Sequence, residues 1–299
     1  MARVYLALIA VQLLFGLWPV AGAAVLREMS PPALIGFRLF LGAPLLALLA
    51  GLPWRKRPSL RELGELAFLA ALGISINQLL FAEGLSRAGP INASLSILLI
   101  PPVSLLVGRA LGRERPTRKR LLGVAIAVLG ALVFLRVERF DFGDRRAVGN
   151  LMLVCNASVY ATYLVLAGPI LTRLGTLRAM AWVFVLGAIE AAPFTLRPVM
   201  QVPWLTLPTW ATGSLVFVLF GATLGTYLLN AYALRRVEAS VVAVFVYLQP
   251  LVATLASWWL LNEIPTPRML VAGALIVVGV FISADMASSI RRLLTRHST

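Results

Sequence analysis

Charged side chains are scarce in this chain of 299 residues, which is 60% hydrophobic, 13% charged and has a mean hydropathy of +0.89. A soluble protein of this length needs far more polar surface to cover its core. The apolar residues also come in runs close to the roughly 20 residues that carry a helix across a bilayer. The composition therefore excludes a soluble domain and predicts an all-α integral membrane protein whose first partner is the lipid bilayer.

Cysteine and histidine are each represented once, by Cys155 and His297. A single thiol cannot form a disulfide within the chain, and one histidine in a polar tail offers no metal cluster. The apolar runs also lack His-Glu-x-x-His, Gly-x-Ser-x-Gly and a pair of membrane aspartates, which are signatures of enzymes. We therefore predict that the protein is not an enzyme and that it uses neither a metal nor a cofactor.

Ten apolar runs are long enough to be read as transmembrane helices. Five per half is an odd number, so equivalent helices of the two halves would cross the membrane in opposite directions. Polar residues concentrate in spans one, three, four, six, eight and nine, whereas spans five and ten carry almost none. The runs cover about 4–26, 32–50, 62–84, 91–109, 120–136, 148–170, 177–196, 209–233, 238–261 and 268–287.

The net charge of +15 is divided unevenly between the two sets of loops that join these runs. The set that includes both termini holds 18 basic residues, and the opposite set holds 8. Basic loops are retained in the cytoplasm, so both termini are predicted to be cytoplasmic. In a soluble protein the same charge would suggest nucleic acid. Here membrane orientation accounts for it, and we expect no nucleic-acid partner.

One sequence pattern occurs twice, 149 residues apart. The first copy centres on Glu114-Arg-Pro-Thr and the second on Glu263-Ile-Pro-Thr. In both copies a proline lies thirteen residues before the glutamate, and a glycine, Gly130 or Gly279, lies sixteen residues after it. Because the two halves have opposite orientation, the chain is predicted to hold two five-helix inverted-topology repeats. Such repeats are typical of secondary transporters, which bind substrate where the repeats meet.

With Phe15-Gly16-Leu17-Trp18-Pro19 in the first span, Arg38 in the second and the two Pro…Glu-x-Pro…Gly runs, the chain resembles the drug/metabolite transporter superfamily. It resembles proteins built from two EamA-type halves, here residues 1–147 and 148–299. Overall likeness is greatest to the YddG-like amino-acid exporters. That resemblance implies efflux of aromatic and other neutral amino acids across the bacterial inner membrane.

Three interpretations of this function stay open at the sequence level. The first is a secondary transporter that exports small zwitterionic metabolites by alternating access. The second is a facilitative pore, although no filter-like segment is present. The third is an exporter of a different drug or metabolite. The sequence also leaves open whether a proton or a counter-substrate drives transport.

The predicted binding site combines neutral polar groups with aromatic rings inside the spans. Amides and hydroxyls are costly in hydrocarbon, so they face a wet cavity or bond neighbouring helices. Aromatic walls suit an apolar side chain, and amides suit a zwitterionic head. Paired helix breaks point to binding sites, so Pro101 and Pro250 are predicted hinges. The predicted substrate-binding residues are Gln12, Trp18, Asn77, Gln78, Phe81, Ser94, Asn156, Tyr160, Tyr163, Tyr227, Asn230 and Tyr247.

Few charges fall within or beside the spans. Arg38 lies about six residues inside the second span, where it would snorkel to the far face, neutralise a helix end or bind substrate. A lone arginine offers little to a phosphorylated substrate, which needs several cations at midplane. Glu114 and Glu263 are predicted to cap or orient the helix that follows each. The carboxylates near span ends are interfacial groups or carriers of a coupling proton, and they are Glu83, Glu190 and Asp285.

Overall fold

A computed structural model describes residues 2–51, 58–226, 229, 232–233, 245–246 and 248–283. These residues are helical and contain no strand, which confirms the predicted all-α class for the described part of the chain. The helices are α1 (Ala2–Val25), α2 (Pro31–Leu49), α3 (Leu60–Ala88), α4 (Pro90–Ala110), α5 (Arg118–Leu135), α6 (Arg145–Leu174), α7 (Thr176–Met200), α8 (Thr209–Gly225), α9 (Leu248–Leu261) and α10 (Pro267–Ser283).

Six helices of the described chain, α1 to α4 together with α6 and α7, are long and apolar enough to cross a membrane. The described parts of α8, α9 and α10 are shorter but equally apolar. In α5 the first turn carries three cations, Arg118 to Arg120, and an apolar stretch follows. The protein is therefore a multi-pass membrane protein. The total of ten spans stays a prediction.

The two halves of the chain pack against each other through matching helices. Helix α5 packs on α10, α2 on α7 and α4 on α9. Likewise α3 packs on α6 as α1 packs on α8, and α4 packs on α6 as α1 packs on α9. Helix n of the first half corresponds to helix n + 5 of the second half. If each helix is replaced by its counterpart, the same list of contacting pairs is obtained.

The contact between α5 and α10 shows the same relation at the level of single residues. Gly130 and Gly279 each lie so close to the opposite helix that a Cβ atom added there would clash with it. The helices run antiparallel, and the partners of one glycine lie 149 residues from those of the other. The contacts are Gly130 with Ala272 and Ile276, and Gly279 with Gly123 and Ala127.

Threonine, and not glutamate, caps the helix that follows each Glu-x-Pro-Thr segment. Thr117 Oγ1 accepts a hydrogen bond from the Arg120 backbone N–H at 3.4 Å. Thr266 Oγ1 accepts one from the Met269 backbone N–H at 3.3 Å. The prediction that the glutamates cap the next helix is therefore wrong, because the hydroxyl three residues closer to each helix accepts a hydrogen bond from one of its free N–H groups.

Glu263 instead lies against a distant helix, at the N-terminus of α4. Its Oε1 would be 2.5 Å from a Cβ at Gly89, a residue with φ of +89° that favours glycine. The Ile91 backbone N–H hydrogen-bonds to the same carboxylate. Glu114 is exposed, lies in the loop after α4 and is close to Gly108 of that helix. The two equivalent glutamates thus have different surroundings.

Glu263→Gln is expected to flatten the pH dependence of the free energy of unfolding. Burial raises the pKa of the Glu263 carboxyl, while the Ile91 amide and Arg146 oppose that shift. A raised folded pKa means that the native state keeps its proton to higher pH than the unfolded state. This group's stability contribution therefore falls as pH rises above the ordinary value of 4.5. Thermal unfolding in detergent across pH 4 to 8 (about the range set by these carboxyls) measures the slope.

Glu138→Gln is the matched control, because its expected effect has the opposite sign. The hydrogen bond from Arg268, at 2.6 Å, lowers the pKa of Glu138. Its stability contribution is therefore present above the ordinary pKa and is lost as pH falls through the folded pKa. Identical slopes for the two variants would contradict the assignment of Glu263 as a buried carboxyl.

Candidate functional site

Arg38 of α2 lies inside the protein, where α1, α2, α3 and α8 meet. Its Nε donates a hydrogen bond to Thr223 Oγ1 at 2.8 Å, and Nη1 donates one to Gln78 Oε1 at 2.7 Å. The guanidinium carbon lies 4.7 Å from the centre of the Trp18 ring. Arg38 is only 5% exposed, so the interpretation that it snorkels to the surface is wrong.

Two aromatic rings form an apolar wall beside this guanidinium. Trp18 stacks on Phe81 with ring centroids 5.7 Å apart and planes inclined by 18°. Both side chains are buried. A cation over an indole face is attracted by the ring quadrupole, by about 2 kcal/mol or more when water is excluded. Three predicted site residues, Trp18, Gln78 and Phe81, therefore lie around Arg38. We call these four residues and Thr223 the Arg38 cluster.

Both hydrogen-bond partners of Arg38 are positioned by π-helical backbone. In α3 the π-helical turn Ala71–Ser75 immediately precedes the segment that carries Gln78. In α8 the π-helical stretch Phe217–Gly225 carries Thr223 itself, whose hydroxyl donates to the Val218 carbonyl at 2.8 Å. The extra residue in such a turn rotates the side chains that follow, and these turns are frequent at functional sites.

Helices α3 and α6 are joined at Asn77, the residue directly before Gln78 of the Arg38 cluster. Asn77 Nδ2 donates to the Asn156 carbonyl at 3.3 Å, and Asn156 Nδ2 donates to the Asn77 carbonyl at 2.7 Å. Tyr163 packs its ring on Gly73 and stacks with Tyr160 at 5.6 Å between ring centroids. The predicted face of α6 thus lies against α3. Its asparagine bonds the backbone of the neighbouring helix.

Two further predicted residues lie elsewhere. Gln12 of α1 accepts a hydrogen bond from Gln249 Nε2 of α9 at 2.6 Å, and both are buried. Ser94 donates to the Ile91 carbonyl of its own helix at 2.8 Å. Gln12 therefore links the first helix to the ninth, whereas Ser94 satisfies its hydroxyl locally. The predicted binding residues Tyr227, Asn230 and Tyr247 lie outside the described residues.

The predicted hinge prolines lie beside breaks in their helices. In α4 the segments Pro90–Ile97 and Ile100–Ala110 are separated by a two-residue turn, and Pro101 is the second residue of the later segment. Pro250 is the third residue of α9 and follows a turn residue at Val246. A hinge function at these two positions stays a prediction.

Glu190 was predicted to lie near the end of a span, but it lies well inside α7. It stands fourteen residues after Thr176, where the helix begins, and ten before Met200, where it ends. Glu83 is near the end of α3, where it forms an ion pair of 3.0 Å with Arg87. The misplacement of Glu190 arises because α7 continues through Pro193 and Pro198 to Met200.

The Arg38 cluster could not be predicted from the sequence, because its members are far apart along the chain. The bonds from Arg38 reach 185 residues to Thr223 and 40 residues to Gln78. The available signal was the position of Arg38 itself. An ionisable residue inside a membrane span is a functional-site hypothesis by default.

Comparison with known proteins matches this chain to one family of transporters. The profile of the EamA-like transporter family matches residues 2–136 and again residues 147–284. An uncharacterized transporter of Archaeoglobus fulgidus is 26% identical over 86% of this chain and 89% of its own length. A probable terminal-alkyne amino-acid exporter of Streptantibioticus cattleyicolor is 30% identical over 82% of this chain and 81% of its own.

Similarity to solved structures concerns the fold. A crystal structure of another protein superposes with a TM-score of 0.61 and 20% sequence identity, covering 96% of this chain and 98% of that chain. The helical architecture is therefore shared over nearly the whole length. With two copies of the family unit covering most of its length, the chain belongs to the EamA-like transporter family.

Proposed function

We propose that this transporter exports neutral zwitterionic amino acids, aromatic ones among them, in the manner of the YddG-like exporters. The observation that carries the proposal is the buried guanidinium of Arg38 beside the stacked rings of Trp18 and Phe81. A guanidinium fork matches a carboxylate in shape and charge. The rings offer an apolar surface for the substrate side chain, and Gln78 offers an amide for its ammonium group.

The charge of the site favours a substrate with one carboxylate. Arg38 is the only charged side chain among the fully buried residues of the described chain. A zwitterion brings one negative charge to this cation and keeps its own net charge at zero. A phosphorylated substrate would bring more negative charge than one guanidinium can neutralise. The relative that is named an exporter of a terminal-alkyne amino acid supports the same substrate class.

Transport by alternating access is proposed from the relation between the two halves. The pairing of helices five places apart and the reciprocal contacts of Gly130 and Gly279 support two repeats of opposite orientation. In such transporters one repeat rocks against the other around a site near the midplane. We propose that Pro101 and Pro250 take up the bending. We also propose a bacterial inner membrane with both termini in the cytoplasm, because the basic loops lie on that side.

An apolar cleft lies beside α1 and α8, two helices of the Arg38 cluster, and supports passage of an apolar substrate side chain. It has a volume of ≈ 510 Å³ and lies between α1, α8 and α9. Its walls include Leu17, Val20, Phe217 and Leu260, and Arg27 also lines it. Helices α1 and α8 carry Trp18 and Thr223 as well. The cleft therefore adjoins two of the helices that form the Arg38 cluster.

Counterflow in proteoliposomes tests this function. Vesicles are loaded with unlabelled phenylalanine, and accumulation of external radiolabelled phenylalanine, leucine or a sugar phosphate is measured. We expect exchange of the amino acids and none of the sugar phosphate. Movement of another metabolite in place of every amino acid would overturn the substrate class. A leak without counterflow would favour the facilitative pore.

Alanine variants test the site independently of the substrate panel. We expect reduced exchange when the predicted recognition residues are replaced one at a time. Native exchange in all of the variants would overturn the site assignment and leave the transport function standing. The variants are N77A, Q78A, Y160A, Y227A and N230A.

A further inference from the structure

A carboxylic acid and a serine hydroxyl meet inside the bundle, apart from the Arg38 cluster. Ser75 Oγ lies 2.6 Å from Glu190 Oε2, so the hydroxyl is bonded to the carboxyl group. Ser75 is 6% exposed and is the last residue of the π-helical turn of α3. Since α7 rises about 1.5 Å per residue, Glu190 lies about 15 Å from the nearer end of its helix. Glu190 therefore lies in the central part of a helix that is long enough to cross a bilayer core of roughly 30 Å.

A charge on Glu190 is costly at this position. In the described chain Glu190 forms no ion pair, and its neighbours Ile189 and Phe194 on α7 are each 64% exposed on the apolar outer surface. Ionisable residues within membrane spans mark substrate or ion pathways and proton relays. Lipid next to this helix adds no compensating charge.

Several ionisable groups on the helices that pack against α7 are engaged with other partners. On α2, Arg38 bonds Thr223 and Gln78; on α3, Glu62 and Glu65 face Arg173, and Glu83 faces Arg87. On α6, Tyr163 donates to the Met180 sulfur and stacks with Tyr160. Helix α7 itself carries Arg178 near its start and Arg197 near its end.

The Ser75 hydroxyl has one proton and three acceptors within reach. Besides Glu190 Oε2, these are the Gly187 carbonyl of α7 at 3.2 Å and the Ala70 carbonyl of α3 at 3.4 Å. An ionised Glu190 accepts the hydrogen bond that the Ser75 hydroxyl donates, because a carboxylate is the strongest of these three acceptors. A protonated Glu190 can donate its own proton to Ser75 Oγ, which then donates to one of the carbonyls. One proton on Glu190 thus reverses the hydrogen bond at the end of the π-helical turn.

We propose that Glu190 is a proton-binding site that couples proton movement to the substrate site through this turn. The proton binds to Glu190 Oε2 and leaves from the same atom, so no other group is consumed. The path is short: Ser75 ends the turn, and Gln78, three residues later on the same helix, bonds Arg38. A change in the hydrogen bonds of the turn therefore alters the position of a direct partner of Arg38.

Carbodiimide labelling tests the proton site without any substrate. Dicyclohexylcarbodiimide modifies protonated carboxyl groups in apolar surroundings, and mass spectrometry of the purified protein locates the adduct. We expect an adduct on Glu190 whose yield falls as pH is raised, because only the protonated acid reacts with the carbodiimide. Glu190→Gln abolishes this adduct, whereas Glu83→Gln retains it. No adduct on Glu190 at any pH, or the same yield at every pH, would overturn the proposal.

Transport coupling, which rests on the proposed function, is tested separately. Efflux of radiolabelled phenylalanine from proteoliposomes is measured with and without an imposed proton gradient. The ratio of the two rates is expected to exceed one in the native protein, to fall to one in Glu190→Gln and to keep the native value in Glu83→Gln. Ser75→Ala is expected to lower the ratio as well. A native ratio of one, or a Glu190→Gln ratio equal to the native value, would overturn the coupling.

The two experiments separate the possible failures. If phenylalanine and the other amino acids do not move at all, the proposed substrate class is wrong, and carbodiimide labelling still decides whether Glu190 binds a proton. If amino acids are exchanged but Glu190 is not labelled, the proposed function stands and the proton site is wrong.

Discussion

Arg38→Ala is expected to reduce amino-acid exchange by about a hundredfold to a thousandfold. If the substrate carboxylate pairs with the buried guanidinium, removing one partner leaves the other charge uncompensated, which costs about 3–5 kcal/mol. Each 1.4 kcal/mol is about a tenfold change in affinity, so the loss corresponds to this range. Counterflow of phenylalanine in proteoliposomes, measured over a range of external concentrations, gives the change directly.

Arg38→Lys separates charge from shape. Lysine keeps the positive charge but loses the planar fork and its stacking on Trp18, so we expect an intermediate loss of about tenfold. Arg268→Lys is the control, because Arg268 bonds the Val133 carbonyl at 2.7 Å and pairs with Glu138, far from the cluster. Native exchange in Arg38→Ala would show that the carboxylate does not bind at this residue.

Gly279→Ala is expected to cause the largest loss of stability among single methyl additions. A Cβ at this position would lie 2.4 Å from the Ala127 backbone nitrogen and 2.5 Å from the Gly123 carbonyl oxygen. Backbone atoms inside a helix cannot move aside separately, so α5 and α10 must separate. Overpacking of this kind costs about 1–3 kcal/mol, which lowers the melting temperature by roughly 2–12 °C. Thermal unfolding in detergent micelles measures the shift.

Three other glycines provide a graded comparison for this prediction. At Gly130 the nearest atom is the Ile276 Cγ1, at 2.7 Å, which belongs to a side chain that can rotate. We therefore expect a smaller loss for Gly130→Ala. A Cβ at Gly64 or Gly213 would meet nothing within 4 Å, so alanine there should be neutral or stabilise its helix by about 1 kcal/mol. Equal melting temperatures for Gly279→Ala and Gly64→Ala would contradict the close contact.

Helix positions were predictable from sequence because they depend on local composition. The second span was predicted at about 32–50, and α2 runs from Pro31 to Leu49. An apolar run marks the membrane segment, and a proline at its start has the backbone angle of a first helical turn. The two Glu-x-Pro-Thr segments were also found from sequence, because each is a short local pattern. Their capping residue was misassigned, since threonine and not glutamate is among the preferred N-cap residues.

The site was harder to predict because its contacts join distant parts of the chain. Nothing near Arg38 in the sequence indicates that Thr223, on a helix of the other half, accepts its hydrogen bond. The π-helical turns were not predicted either, since a shift of one hydrogen bond leaves the apolar pattern nearly unchanged. Glu190 was placed near a span end because the predicted span ended at about residue 196, whereas α7 continues to Met200. Each of these features depends on packing between helices.

The reciprocal contact of α5 with α10 has a consequence for assembly from separate pieces. Each half carries both the glycine and the two positions that receive the glycine of the other half. A polypeptide that contained only one half would therefore present both complementary surfaces. Two identical copies of it, inserted in opposite directions, could satisfy each other through a two-fold axis. The linker between the halves would then connect two partners that already fit as a homodimer.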